Sequence, residues 1–536
     1  MKTLFKLAAC FASATAFNAN ALESLSSDGS TTADLNAMLG VNYIHSQGVT
    51  GQGAKIANVE GGLSFFNHDI FSASDKGGIY VPSTADTSVT GHATACAGIM
   101  AGDGGVASGA KIYSGTIATQ ANSDGTFAIS GKSFYDTYEN YFTTQKADVI
   151  NSSWGNNDAG NPNVIDISLN ALIYNYKTTT LVVAAGNSGA PKDGATTTVA
   201  TPARLSNSIS VGALGNPNSF NAIASFSSRG PVDFYNYDTG QTLSGVRVGV
   251  DVVAPGQNIG VATYLTGNPS ITGAYSYDSG TSFAAPIVSG VVSLLYSDSY
   301  AKNRGEESRD ARLMKAVIIN SADKVSGWDN GQRVRNNVQV SGFNGAANAS
   351  FDNVIVTDQS LDYTYGGGAL NAKAAYEQYA ESSTWIMGDV ALGGEYVQAI
   401  GTAEAGDVLT TTLTWFEQIA VGIDDSGDDY SFGYGDAAFS NLDLEVWYYD
   451  AAADAYSAVA LSDSLYNSVE HLSFALEAAG QYFLRVVFDE MIYGDLLGDA
   501  ETFALVWNLA AIPEAAEFAA MFGLLALIFA LRRKAG

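Results

Sequence analysis

The chain has 536 residues, 46% of them hydrophobic and 15% charged, enough for two or three folded units with a large buried core. Lys and Arg number 25 against 54 Asp and Glu, a net charge of −29. That balance argues against a nucleic-acid binder or a ligand of anionic membranes, which would need a basic face. The apolar content argues against wholesale disorder, and the 57 glycines suit a loop-rich α/β or all-β chain better than a helical bundle.

The N-terminus carries Lys2 and Lys6, a mostly small and apolar run over 7–17, and then Ala19-Asn20-Ala21. A basic start, an apolar stretch and an A-x-A site mark residues 1–21 as a secretory signal peptide cut after Ala21. Leu7-Ala8-Ala9-Cys10 offers a rival reading as a lipid-attachment box, although few apolar residues precede Cys10. With Cys10 lost in the leader, the mature chain keeps one thiol, Cys96, and no internal disulfide.

From about residue 34 to 380, β-branched runs alternate with helix-like stretches. Buried strands are expected at 54–59, 149–153, 180–185 and 209–213, and helices at 165–177, 284–300 and 311–322. This alternation predicts an α/β unit with a largely parallel sheet flanked by helices. Over 383–510 the pattern changes, with strands expected at 408–415, 442–449, 469–476, 481–487 and 502–509. Leu442, Leu444 and Val446 alternate with Asp443 and Glu445, and no long helix intervenes, which predicts an all-β sandwich or jelly roll. Asp424-Asp425-Ser426-Gly427-Asp428-Asp429 is an acidic loop that suits either solvent or a structural calcium ion.

Residues 512–536 end the chain with Ile512-Pro513-Glu514, an apolar run of 14 residues over 518–531, and Arg532-Arg533-Lys534. The run is short of the ~20 residues that span a bilayer comfortably, and the basic cluster would stay on the cytoplasmic side. This tripartite tail resembles the PEP-CTERM sorting signal of Gram-negative bacteria, with Ala515 where that motif has proline. The resemblance implies export, engagement of sorting machinery, transient membrane association through the tail, and a final place outside the cell or in its envelope. A plain C-terminal anchor is the alternative.

The candidates for chemistry begin with four histidines, His45, His68, His92 and His471. His471 falls inside an expected strand and reads as structural, and His45 ends a short helix. His92 is followed by Ala93-Thr94-Ala95-Cys96-Ala97-Gly98, small residues that let a helix start tightly with the imidazole at its entrance. A lone histidine is more often structural than catalytic, despite its useful pKa. The serine signal is stronger. Gly280-Thr281-Ser282-Phe283-Ala284-Ala285-Pro286 leads into an apolar helix, placing Ser282 at a helix N-terminus where free N–H groups favour developing negative charge. Its own N–H can then serve an oxyanion. In Val182-Val183-Ala184-Ala185-Gly186-Asn187-Ser188-Gly189 an apolar strand ends in Asn187, either a turn residue or a side-chain amide donor to the same oxyanion.

Taken together, these elements resemble the subtilisin-like serine peptidases, or subtilases, over roughly 34–378, in that family's order of acid, His, Ser. Val149-Ile150-Asn151-Ser152-Ser153-Trp154-Gly155, Phe226-Ser227-Ser228-Arg229-Gly230, Val252-Val253-Ala254-Pro255-Gly256 and Tyr365-Gly366-Gly367-Gly368 match further family landmarks. The resemblance implies catalytic Ser282 and His92, an oxyanion-hole Asn187, and a polypeptide substrate paired as a strand along Ser152, Ser153, Trp154 and Gly155. It implies acyl transfer through an acyl-enzyme, with no cofactor needed for the chemistry and structural calcium allowed. Cys96, four residues after His92, matches subtilases that carry a thiol beneath the catalytic His, which implies inhibition by mercurials; a small buried apolar residue is its bland reading. About a dozen residues separate Ala21 from the start of the similarity, so no long inhibitory prodomain is expected there.

The departure lies at the acid. Where the family ends its first core strand in Asp, this chain reads Glu60-Gly61-Gly62, and His92 is followed by Ala93 instead of Gly. Glu60 is assigned the acid's task of orienting the imidazole and stabilising the imidazolium, with Asp69 and Asp86 as fallback acids. The expected activity is a secreted or surface-associated serine endopeptidase with a Glu-His-Ser triad. The rival is a catalytically weak or inactive subtilase-derived protein that binds peptides at the surface. The C-terminal unit resembles β-sandwich domains appended to secreted subtilases, through 409–415, Asn441-Leu442-Asp443-Leu444, Ser468-Val469-Glu470-His471 and Gly480-Gln481-Tyr482.

Overall fold

A computed structural model describes residues 22–511, except 27–28, 123–124, 157–162, 193–194, 218, 266–267, 345–346 and 426–428. The expected leader at 1–21 and tail at 512–536 therefore lie outside the described residues. Among the described residues no helix is long and apolar enough to cross a membrane.

The first unit is built on an eight-stranded sheet. Its strands are β1 (Lys55–Glu60), β2 (Asp75–Tyr80), β3 (Lys111–Thr116), β4 (Val149–Ser152), β5 (Thr180–Ala184), β6 (Ile209–Gly215), β7 (Val252–Pro255) and a short edge at Ala222–Ile223. The order across the sheet is 222–223, β6, β5, β4, β1, β3, β2, with β7 also on β6. Every pairing except the edge is parallel. Strands β4, β5 and β6 are buried at every residue, which is why they read as unbroken apolar runs. The chain lays β2 and β3 on one side of β1 and β4 to β6 on the other. Strand order thus reverses between β1 and β4, and the C-terminal ends of two such neighbours form the crevice where open parallel sheets bind ligands.

The longer helices of this unit are α1 (Gly91–Ala101), α2 (Gly131–Glu139), α3 (Val164–Asn175), α4 (Thr281–Lys302), α5 (Ala311–Asn320) and α6 (Ala372–Ala380). Thr90 caps α1 by accepting the Ala93 N–H, and Ser130 and Ser133 form a reciprocal capping box on α2. α4 runs for 22 residues, carries Pro286 in its early turns and packs across β4, β5 and β6.

Beyond residue 384 the strands are β8 (Trp385–Val390), β9 (Glu395–Ala403), β10 (Val408–Thr414), β11 (Gln418–Asp425), β12 (Tyr430–Asp450), β13 (Ala455–Ser462), β14 (Val469–Ala475), β15 (Gly480–Tyr493) and β16 (Glu501–Ala510). They form a four-stranded sheet, β8-β16-β10-β14, and most of a seven-stranded one. Leu409 and Leu413 of the smaller sheet meet Leu442, Leu444, Leu484 and Val486 of the larger in one apolar core. The larger sheet also takes in Arg333–Arg335 and Val354–Thr357, the latter paired in parallel with β13. The sheets therefore do not divide at 380–383 as the sequence pattern suggests, because pairing between distant segments leaves no local signature.

Candidate active site

Glu60 is the last residue of β1 and opens on the crevice between β1 and β4. Its Oε2 lies 3.3 Å from His92 Nδ1, with Glu60 1% exposed and His92 17%. Its Oε1 accepts the Ser153 N–H at 3.0 Å, just beyond β4. The carboxylate is thus held from one side and offered to the ring from the other. Gly61 permits the tight exit from β1, since a Cβ there would sit 2.3 Å from the Phe127 ring.

Burial disfavours the imidazolium of His92, yet its neighbours outweigh this and raise its pKa well above the ordinary value. Burial also pushes the Cys96 thiol up, so the sulfur stays neutral near pH 7 and the Glu60 carboxylate is the charge that acts on the ring. Cys96 Sγ lies 3.9 Å from His92 Nδ1 and 3.4 Å from the Ser282 carbonyl oxygen, tying α1 to the start of α4. Glu60, His92 and Cys96 each present one ligand atom within 4.8 Å of the others. A thiophilic metal bound there would occupy the imidazole nitrogen that faces Glu60.

A buried polar network fixes the frame beneath the ring. Asn58 on β1 and Asn151 on β4 stand opposite in register. Asn58 Nδ2 donates to the Ala93 carbonyl at 2.9 Å, next to His92. Asn151 Nδ2 donates to Asn58 Oδ1 at 3.1 Å and to Ser153 Oγ at 2.9 Å, while its Oδ1 accepts from Ser289 Oγ of α4 at 3.0 Å. Four elements that carry Glu60, His92, Ser153 and Ser282 are thereby locked to one another. The sequence reading passed over both asparagines, although an Asn in the middle of an apolar strand is a signal in itself, because a buried amide needs partners.

Ser282 is the second residue of α4 and is 8% exposed. Its Oγ donates to the Ser153 carbonyl at 2.9 Å. The His92 ring lies near, with its centroid 5.7 Å from that of Phe283. Asn187 Oδ1 accepts the Thr281 N–H at 2.9 Å and the Thr281 hydroxyl at 3.0 Å. The amide's other end is thereby turned to the serine. A Cβ placed on Gly280 would be 3.4 Å from Asn187 Nδ2 and 3.6 Å from the Ser282 nitrogen, so both donors border the same small space.

The segment expected to pair with substrate is built differently from a simple open edge. Ser152, Ser153 and Trp154 are buried, and only Gly155 is half-buried. The Tyr138 hydroxyl of α2 shares a hydrogen bond with Ser152 Oγ at 2.6 Å and accepts the Trp154 Nε1–H at 3.1 Å. These side chains therefore face the core, and Ser153 already spends its N–H on Glu60 and its carbonyl on Ser282. Tyr138 was not readable from the sequence, since its role exists only once α2 and β4 converge.

The other candidates lie elsewhere. Asp69 follows His68, whose Nδ1 accepts the Ile70 N–H at 3.1 Å while Nε2–H donates to the Ala274 carbonyl at 2.8 Å. Asp86 accepts from the Ser88 and Ala121 main-chain N–H groups at 2.8 and 3.0 Å. Neither carboxylate is paired with His92, whose ion pair is to Glu60. His45 contacts the Val106 carbonyl at 2.8 Å, and His471 is buried against Lys324 and Thr412. Of the acidic loop, Asp425 and Asp429 meet Lys132 of α2, and 426–428 lie outside the described residues.

Residues 25–366 match the family model described as Subtilase family. The chain is 30% identical over 300 residues to a subtilisin-like protease, SBT6.1, of Arabidopsis thaliana, covering 55% of this chain and 26% of the plant protein. It is 30% identical over 266 residues to subtilisin E of Bacillus subtilis (strain 168), covering 47% of this chain and 58% of that protein. With thermitase of Thermoactinomyces vulgaris it shares 31% identity over 288 residues, 52% of this chain and 84% of thermitase. The chain thus spans about a quarter of the plant relative's length and 58% of subtilisin E. The family match extends over more than half of the 536 residues, and the chain belongs to the subtilase family.

Proposed function

We propose that the protein is a serine endopeptidase that works through a Glu60-His92-Ser282 triad. The observation that carries the proposal is the two-sided hold on Glu60: Oε1 on the Ser153 N–H at 3.0 Å and Oε2 on His92 Nδ1 at 3.3 Å. A carboxylate so placed keeps the Nδ1–H tautomer, leaves Nε2 as the base and stabilises the imidazolium that forms. Relatives of this family normally use Asp at the acid position. The longer Glu side chain extends reach by about 1 Å, an error that can cost around a hundredfold if nothing absorbs it. Here the Ser153 N–H fixes the added length in one rotamer.

An extended peptide lies beside the 152–155 segment and adds main-chain hydrogen bonds to it. Its N–H competes for the Ser153 carbonyl and releases the Ser282 hydroxyl, which rotates about χ1 to His92. Ser282 Oγ attacks the scissile carbonyl as His92 takes its proton. The Ser282 N–H and Asn187 Nδ2 stabilise the oxyanion. His92 then protonates the leaving amine, and water, activated by the same ring, releases the acyl group. Export belongs to the same proposal and is supported by the leader-like 1–21 and the sorting-like 512–536.

A serine-directed fluorophosphonate tests the reading. Labelling of the wild type and none of Ser282→Ala is the expected result. No labelling of either favours the non-catalytic peptide binder.

A further inference from the structure

The C-terminal unit extends one hairpin, β11 with the start of β12, onto the outer face of α2. Asp429 Oδ1 accepts the Lys132 main-chain N–H at 2.8 Å, in the first turn of α2 where amides lack helical partners. The Tyr430 hydroxyl donates to Asp136 Oδ1 at 2.9 Å and accepts from Lys132 Nζ at 2.6 Å. The Tyr135 ring packs on Tyr430 and Phe432, with centroids 6.2 and 5.9 Å apart. Gly131 admits the arm, since a Cβ there would lie 2.7 Å from the Phe432 ring and from the Tyr430 carbonyl oxygen.

The opposite face of α2 points at the catalytic frame. Residues 132, 135 and 136 meet the arm, whereas 134 and 138, offset around the helix, meet Trp154. Tyr138 binds both Ser152 and Trp154, the residues that flank Ser153. The Ser153 N–H holds Glu60 and its carbonyl holds the Ser282 hydroxyl. One continuous series of contacts therefore runs from the arm, through a helix of nine residues that continues as a π-helical turn over Asn140–Thr144, to both ends of the triad. A helix this short has little stability of its own, so what packs on its two faces sets its position.

We propose that this arm is a positioning element of the catalytic centre: its grip on the outer face of α2 fixes Tyr138, and through Tyr138 the peptide groups of Ser153 that orient Glu60 and Ser282. The consequence for turnover rests on the peptidase reading, while the mechanical coupling does not. The Asp429, Tyr430 and Lys132 contacts give the acidic hairpin loop a use that needs no bound cation.

The test uses the full chain with two readouts. Hydrogen exchange over 150–154 reports the coupling without any activity, and kcat and KM on a peptide report its catalytic effect. The Tyr430→Ala, Phe432→Ala double variant is expected to exchange about tenfold faster at 150–154. Its kcat is expected to fall about tenfold, with KM changed less than about threefold. Tyr430→Phe, which keeps the ring, should recover most of both. Val446→Ala, in the apolar core of the C-terminal sheets, should lower the melting temperature and alter neither readout. Should the double variant fail to fold, Asp429→Asn with Lys132→Met carries the same comparison. Unchanged exchange at 150–154 in arm variants overturns the proposal whatever the activity, and faster exchange with unchanged kcat overturns the catalytic role of the arm. Faster exchange in a protein whose wild type does not react with a fluorophosphonate leaves the coupling standing and removes the peptidase reading instead.

Discussion

Each unit of this protein buries a histidine beside a charged group, and the two sites behave in opposite ways. His92 lies 3.3 Å from the Glu60 carboxylate, which raises its affinity for a proton against the effect of burial. His471, 0% exposed on β14, is lowered well below the usual value, first by burial and then by Lys324, whose Nζ donates to its Nε2 at 2.9 Å. Its Nδ1–H donates to Thr412 Oγ1 at 2.8 Å, and Thr412 passes its own proton to Asn320 Oδ1 at 2.9 Å. On the proposed mechanism, the carboxylate beside the first ring lets it gain a proton during the reaction. Burial first, and Lys324 second, keep the other ring neutral, and its hydrogen bonds join α5 to the C-terminal sheets; burial also pushes the Lys324 amine down to about 7. Burial and the neighbouring groups thus set the proton affinity of the two rings in opposite directions.

The comparison breaks most visibly at the nucleophile. Ser282→Ala should lower kcat by about 10⁶-fold and leave the melting temperature near that of the wild type, as measured by steady-state kinetics and thermal unfolding. A loss of less than tenfold would remove Ser282 from the chemistry. Next in size, Glu60→Gln keeps the shape of the acid but not its charge and should cost about 10⁴-fold in kcat. Asp69→Asn and Asp86→Asn, which do not pair with the ring, should stay within about threefold; the reverse ranking would move the acid elsewhere. If Asn187 serves the oxyanion as proposed, Asn187→Ala should cost about 10²–10³-fold, mainly in kcat.

His471→Leu is the counterpart in the second unit. It removes the ring nitrogen that accepts from the buried Lys324 Nζ, leaving that amine to the Gly367 carbonyl, and should cost about 1–3 kcal/mol of stability by denaturant titration, with kcat/KM unchanged. A variant of normal stability and poor turnover would mean that the two sites are not separate. The smallest effect is on stability against pH. His471 binds its proton less readily in the folded chain than in the unfolded one, so its contribution is present above about pH 6.5 and is lost as pH falls below it, by at most about 1.4 kcal/mol per unit. His92 has the opposite sign, with a contribution present below about pH 6.5 and lost as pH rises through its raised folded value. Stability profiles of His471→Leu and His92→Ala should each flatten on one side only.

What the sequence disclosed follows the same divide between local and distant causes. Runs 149–153, 180–185 and 209–213 were legible because strands buried throughout are apolar throughout. Strands β2 and β3 were not, since Lys76-Gly77-Gly78 and Ser114-Gly115 interrupt the pattern while neighbouring strands supply the order. Ser282 could be named from the helix start that nearby residues set, while Glu60 and His92 follow from the resemblance to subtilases, each at an element boundary. That the Ser282 hydroxyl rests on Ser153, that Tyr138 holds the flanks of Ser153, and that residues 333–357 complete the C-terminal sheet all depend on which distant segments meet.

The role of Glu60 is tested most directly by the pH dependence of fluorophosphonate inactivation in the wild type and in Glu60→Gln. Reaction requires a neutral His92, so in the wild type the rate should drop as pH falls through a midpoint above 6.5. Without the carboxylate's charge, burial opposes the imidazolium and, of Glu60 and Cys96, only Cys96 still favours it, so the midpoint should move down. A midpoint that stays where it was in Glu60→Gln would show that another group partners His92.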